Sequence, residues 1–303
     1  LPGWPVALGC LLALIFTRDL GYVLRLKWLS NGRLTWRNAI ETTVVWEFAS
    51  AITPGIVGGG AVAIWGLHRQ GMTAGKSTAL VFSTALLDEL FYVLAVPPLL
   101  FFLGNAVAPP DFDSTVGWGI FWVGWGTMLF LAGIIAFGLF IAPHSTRRII
   151  LGCARFKWLT RWQNPLSRFA DDLRNSALEM KTLPLLHWAG AFLATMASWT
   201  ARFLSLVAVM AMVVAPFSAL EPITIVARQL VMWVYLLISP TPGSSGVAEW
   251  LLGAFFEPWF ALSDSLIAPA MTMLIWRMAT HFVYLLLGVL VIPGWMRRTR
   301  RAQ

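Results

Sequence analysis

Two stretches put backbone-breaking residues and hydroxyls where an apolar run would otherwise continue. They are Thr53-Pro54-Gly55-Ile56-Val57-Gly58-Gly59-Gly60 and Ser239-Pro240-Thr241-Pro242-Gly243-Ser244-Ser245-Gly246-Val247-Ala248-Glu249. Each contains Thr-Pro-Gly-x-x-Gly, once in each half of the chain. Proline and glycine cannot carry a helix through such a stretch, and broken backbone at membrane depth is tolerated only where protein or a watery cavity satisfies its amides and carbonyls. The chemistry on offer is anion binding: glycine lets amides converge on one spot, and the helix that follows presents its positive end there. The loop residues that would line such a site are Thr53, Pro54, Gly55 and Gly58 from the first stretch. The second contributes Thr241, Pro242, Gly243, Ser244, Ser245, Gly246 and Glu249, the last in the first turn after the loop. Glu249 has three readings, as a helix cap, a proton carrier or a cation partner. A plain helix break is the structural alternative for either loop.

The second group of residues is charged and sits inside apolar runs, where each charge costs roughly 2.5–3.5 kcal/mol on insertion scales. Arg202, Arg228 and Arg277 have no acid within a helical turn and fall on three successive elements of the second half. A guanidinium fork binds two phosphate oxygens at once, so their convergence would make a phosphate site. The alternative is structural pairing with Glu47, Asp88, Glu89 or Glu249. The same four carboxylates are the candidates for proton or ion coupling, Asp88-Glu89 as a mid-span relay. Arg18 and Asp19 are adjacent, so they are expected to face different ways and to pair with other spans. His281 lies one turn beyond Arg277 on the same helix face, where a core histidine and a functional one look alike.

These residues must be positioned by helices in a bilayer. Of 303 residues, 58% are hydrophobic and 12% charged, with 17 Trp, which describes a polytopic membrane protein. A first span covers residues ~5–29 and ends in Arg25, Lys27, Arg33 and Arg37. A broken segment follows at ~35–70, with limbs up to Ile52 and from Ala61 to Leu67; the second limb is too short to cross, so a re-entrant hairpin is expected. Further spans lie at ~73–104, ~115–142, ~184–215 and ~262–292, with a second broken segment at ~221–258. Residues ~143–183 are basic and read as interfacial helices anchored by Phe156, Trp158 and Trp162. Of 22 Lys and Arg, this layout puts 18 on the cytoplasmic side and leaves Arg18, Arg202, Arg228 and Arg277 within apolar runs.

The expected fold is therefore an all-α polytopic membrane protein forming a single transmembrane domain over residues 1–303. Two inverted repeats of helix, re-entrant hairpin and helix (~5–104 and ~184–292) would be joined by the linking helix ~115–142, ahead of the basic tail 293–303. The C-terminus would be cytoplasmic, in a bacterial inner membrane. Leu1 heads the sequence, which leaves room for a preceding helix.

Several classes are excluded. The +8 charge is dispersed in short loops with no soluble basic domain, so no nucleic-acid partner is expected. Cys10 and Cys153 are isolated and make neither a disulfide framework nor a zinc site. Gly71 to Ser77 resembles a P-loop, but Gln70 stands where the first glycine belongs and no strand precedes it. Asp111-Phe112-Asp113 is similar to the metal-binding acids of membrane glycosyltransferases but lies in a short loop with no catalytic domain. No metal or cofactor and no catalytic residue is expected.

The paired loops, the second written Pro-Thr-Pro-Gly-Ser-Ser-Gly-Val-Ala-Glu over 240–249, with Arg277 in the last span and the two-half layout, resemble the lysylphosphatidylglycerol synthase transmembrane-region family. Members of that family usually carry an acid just after the first Gly-x-x-Gly, where this chain has Gly59-Gly60. The resemblance implies a lipid flippase or transporter that moves an anionic phospholipid or polyprenyl-phosphate-linked lipid between leaflets. Two alternatives stand beside it: a membrane enzyme acting on a lipid-linked sugar or headgroup, and a non-transporting partner subunit of a lipid synthase. The partners it implies are the membrane lipid substrate, a synthase and further copies of the chain in a homo-oligomer. With no aminoacyl-transferase domain within residues 1–303, aminoacylation is not among the expected activities.

Overall fold

The computed structural model describes residues 3–53, 57–109, 111–156, 158–214, 218, 220–237, 239, 241–263 and 265–301. The α-helices are α1 (Trp4–Leu29), α2 (Trp36–Ile52), α3 (Val57–Arg69), α4 (Ala74–Leu103), α5 (Thr115–Ala136), α6 (Pro143–Ala154), α7 (Gln163–Lys181), α8 (Leu185–Val213), α9 (Glu221–Leu237), α10 (Val247–Ala261), α11 (Ala268–Arg277) and α12 (Val283–Arg301). Among the described residues there is no strand, and the chain is an all-α polytopic membrane protein. Starts are set by side-chain caps: Thr35 accepts from the Asn38 amide, Thr73 from Lys76 and Ser114 from Gly117.

Five helical runs are long and apolar enough to cross a membrane: Trp4–Leu29, Ala74–Val107, Thr115–Ile141, Leu185–Val213 and Ala268–Thr299. The shortest has 26 residues. That length rises about 39 Å, beyond a hydrocarbon core of about 30 Å. The last run joins α11 to α12 through a π-helical turn, Met278–Phe282. The four helices that flank the two loops are shorter. α2 and α9 have 17 residues each, α3 has 13 and α10 has 15. These rise about 26, 20 and 22 Å, short of that core.

The limb after the first loop differs from expectation, because α3 starts at Val57 rather than Ala61 and runs to Arg69. Gly58, Gly59 and Gly60 therefore belong to the helix. The cause is close packing on α2: a Cβ at Gly58 would lie 2.2 Å from Thr53 Oγ1, and one at Gly59 would lie 2.0 Å from Ser50 Oγ. Glycine is what allows the new helix to begin against the old one.

α1 and α8 share the longest interhelical seam. There Gly21 faces the Ala194 carbonyl and Ser198, and Gly190 faces the Trp28 ring. The packing recurs between the halves. α1 packs on α2 and α4, as α8 packs on α9 and α11. The α2–α3 and α3–α4 contacts match α9–α10 and α10–α11, and across the halves α2–α12 matches α4–α9. One apolar cluster gathers α8, α9, α10 and α5 around Val209, Leu252, Phe256 and Phe121; another gathers α1, α3, α4 and α7 around Leu26, Leu67, Leu80 and Leu173.

α6 and α7 pack on each other, and α7 lies across the start of α4. The Gly75 amide donates to Asp172 Oδ2 at 2.7 Å, and Glu179 pairs with Arg33 at 2.6 Å and Lys76 at 2.9 Å. Arg147 pairs with Asp171 at 2.5 Å.

Candidate functional site

The second loop is a tight turn with three left-handed residues, Gly243 (φ 56°), Ser244 (φ 53°) and Gly246 (φ 84°). Its amides are largely used within the turn. Ser244 N donates to the Thr241 carbonyl at 3.0 Å, Ser245 N to the Pro242 carbonyl at 3.1 Å and Gly246 N to Glu249 Oε2 at 2.5 Å. Thr241 Oγ1 donates to the Ser245 carbonyl at 2.9 Å. The sequence suggested amides pointing outward at an anion; in the structure these three point inward, and it is carbonyls that face a charged partner. Arg277 Nη1 donates to the Gly243 carbonyl at 3.0 Å, Nη2 to that of Ser244 at 3.4 Å, and Nε to Glu249 Oε1 at 2.6 Å. Glu249 thus caps the start of α10 with one oxygen and holds Arg277 with the other.

The two loops meet. A Cβ at Gly243 would lie 2.9 Å from the Ala51 carbonyl and 2.3 Å from His281 Cε1. Ala51 is in the last turn of α2, where the first loop begins, and His281 is in the π-helical turn after Arg277. π-turns often mark functional positions. On the first side, Thr53 Oγ1 donates back to the Ala49 carbonyl at 2.6 Å. Pro54 and Gly55 lie outside the described residues.

The arginines within the spans differ in what holds them. Arg202 of α8 donates to Tyr22 Oη at 3.2 Å, with its guanidinium 5.3 Å from the Trp199 ring and 4.7 Å from the Trp233 ring. It forms no ion pair among the described residues. Arg228 donates to the carbonyls of Ala106 (2.9 Å) and Phe255 (2.8 Å) and lies over Trp259. Arg277 is thus held by the second loop and Arg202 by a ring-lined niche, while Arg228 ties α9 to α10 and to the turn after α4.

One expectation from adjacency needs correcting. Arg18 and Asp19 do meet, with Arg18 Nε 3.1 Å from Asp19 Oδ1, because Tyr284 of α12 hydrogen-bonds both and draws the long arginine side chain round. Arg25, close to the end of α1, is only 6% exposed. It pairs with Asp88, which also accepts from Trp199 Nε1 at 2.7 Å.

Of the four coupling candidates, Asp88 and Glu249 are thus ion-paired. Glu47 lines a cleft with Tyr22, Arg25 and Trp46. Glu89 has a buried Oε2 without a hydrogen-bond partner. Neither forms an ion pair among the described residues. Asp113 accepts from Trp118 Nε1 at 2.8 Å and from Asn105, and no group of three potential metal ligands exists among the described residues. Sequence reasoning missed Tyr22, Tyr284 and Trp199. A signal was present for two of them, since a buried Tyr or Trp polar atom needs a partner and Tyr22 and Trp199 stand one turn from Arg18 and Arg202; Tyr284 has no Asp, Glu, Lys or Arg that close.

Comparison with known proteins gives a family and a relative. The model of the lysylphosphatidylglycerol synthase TM region matches residues 2–288. A UPF0104 membrane protein of Archaeoglobus fulgidus is 24% identical over 280 residues, spanning 89% of this chain and 81% of the relative. No solved structure matches.

Proposed function

Since the chain belongs to the lysylphosphatidylglycerol synthase transmembrane-region family, we propose that it is a lipid transporter rather than an enzyme, moving a phosphate-bearing anionic lipid between leaflets. The observation that carries this reading is Arg202, a guanidinium without an ion pair among the described residues, framed by Tyr22, Trp199 and Trp233. A charge held there by rings and one hydroxyl keeps donor capacity for two phosphate oxygens. The aromatic walls suit the adjoining glycerol or prenyl carbons, and the tails would stay in the bilayer.

α2–α3 and α9–α10 act, in this reading, as re-entrant hairpins entering from opposite faces. Their lengths fall short of a crossing, and the matched packing of α1–α4 with α8–α12 supports inverted repeats. Tilting one half against the other would expose the headgroup to each side in turn, with the seam of Gly243, Ala51 and His281 as the moving contact. Arg277 and Glu249 position the second tip, Thr53 and Gly58 the first, and Arg228 braces α9. Glu47 and Glu89, lacking ion pairs, are the carboxylates we assign to proton exchange. The basic face would be cytoplasmic.

The test is headgroup exposure in proteoliposomes holding the purified protein and fluorescent anionic lipids. The reading expects exchange faster than in protein-free vesicles for at least one phosphate-bearing lipid. Rates equal to the empty control for every such lipid would refute it.

A further inference from the structure

The α6–α7 unit segregates its charges. All three of its acids are already engaged: Asp171 with Arg147, Asp172 with the Gly75 amide, and Glu179 with Arg33 and Lys76. Four arginines, Arg148, Arg155, Arg161 and Arg168, are exposed. The corner between the helices is itself ordered, since Phe156 N donates to the Cys153 carbonyl, Leu159 N to Phe156 and Trp162 N to Leu159 at 2.9 Å. That turn holds Phe156 (71% exposed), Trp158 (90%) and Trp162 (51%) outward, with Ile149 (65%) on the same unit. An aromatic knob beside exposed arginines, on a unit whose acids are paired with other groups, fits one partner chemistry, an anionic bilayer surface. A neutral interface would satisfy the rings but leave the arginine segregation without use.

We propose that the α6–α7 corner is a docking surface for anionic lipid headgroups, separate from the Arg202 site and independent of transport. The rings enter the headgroup boundary while Arg148, Arg155, Arg161 and Arg168 contact phosphates. Each basic side chain near an anionic surface strengthens association by about fivefold, screened by salt. The pairs made by the acids of α7 make the surface consequential. Glu179 and Asp172 connect α7 to the α1–α2 turn and the first residues of α4, so docking fixes the helix pair that clamps the first half.

The experiment is amide hydrogen exchange of the full chain in nanodiscs, either of phosphatidylcholine alone or with phosphatidylglycerol added. The surface predicts exchange at the corner (158–163) slower by about tenfold in the anionic discs, with the difference shrinking as salt is raised. The quadruple R148Q/R155Q/R161Q/R168Q variant should lose the difference and the matching Arg→Lys variant should keep it. Equal exchange in the two discs for the native protein, at any salt, overturns the proposal without any variant having to fold. A difference that survives the Gln variant overturns it too, since rings alone would then account for the contact.

Discussion

The junction between the loops can be tested with a single methyl group. Gly243 and Gly246 both have left-handed backbone, so alanine at either costs about 1–2 kcal/mol of strain. They differ in surroundings. Nothing lies within 4 Å of a Cβ at Gly246, whereas one at Gly243 would sit 2.3 Å from His281 Cε1 and 2.9 Å from the Ala51 carbonyl. Overpacking of that kind adds about 1–3 kcal/mol. Gly243→Ala should therefore cost about 2–5 kcal/mol and Gly246→Ala about 1–2 kcal/mol. The assay is thermal unfolding of detergent-purified protein, followed by loss of the monodisperse species. In a His281→Ala background the nearer clash is removed while the strain and the Ala51 contact stay, so the Gly243→Ala loss should shrink by up to about half and the Gly246→Ala loss stay the same. Equal losses at the two glycines, or no relief from His281→Ala, would refute the packing of the second tip on the last helix and on α2.

Other predictions concern the ion pairs. Arg277→Ala and Glu249→Gln should each cost about 2 kcal/mol, below the 3–5 of a fully buried pair because Glu249 is 28% exposed. The double variant should lose much less than their sum in the same unfolding assay. Asp88→Asn strands Arg25, whose side chain is 7% exposed, and should cost about 3 kcal/mol; replacing both residues by apolar ones should recover most of it. The hydrogen bond from Arg147 holds the Asp171 carboxyl below its ordinary range. A depressed folded-state value means the contribution is present at neutral pH and is lost as pH falls through that lowered value. Amide exchange in α6 should accelerate slightly in that acidic window, and Asp171→Asn should remove the acceleration; a change on the alkaline side would contradict the assignment.

Much of the fold was legible because a bilayer enforces it. Long apolar runs must be helices, and the paired Thr-Pro-Gly signals marked both breaks to within a few residues. The start of α3 was misplaced because Gly58-Gly59-Gly60 looks like a loop by propensity. Only the contacts with Thr53 and Ser50 show why glycine is needed at 58 and 59 within that helix. Charges inside spans were found by the cost of burying them, but their partners were not. Arg25 with Asp88, and Arg18 with Asp19 through Tyr284, depend on which helix faces which, and residue spacing along one helix does not carry that information. Arg228 looked like Arg202 in sequence, yet main-chain carbonyls hold one and aromatic rings frame the other.

The most direct test of the account is lipid exchange by Arg202→Gln. The variant keeps a hydrogen bond to Tyr22 within reach and removes only the charge between Trp199 and Trp233. In proteoliposomes containing equal amounts of folded protein, it should lose at least about tenfold of the native rate for the phosphate-bearing lipid, while Arg228→Gln at matched folded protein should lose little. Native exchange by Arg202→Gln would contradict the central claim that this guanidinium receives the headgroup.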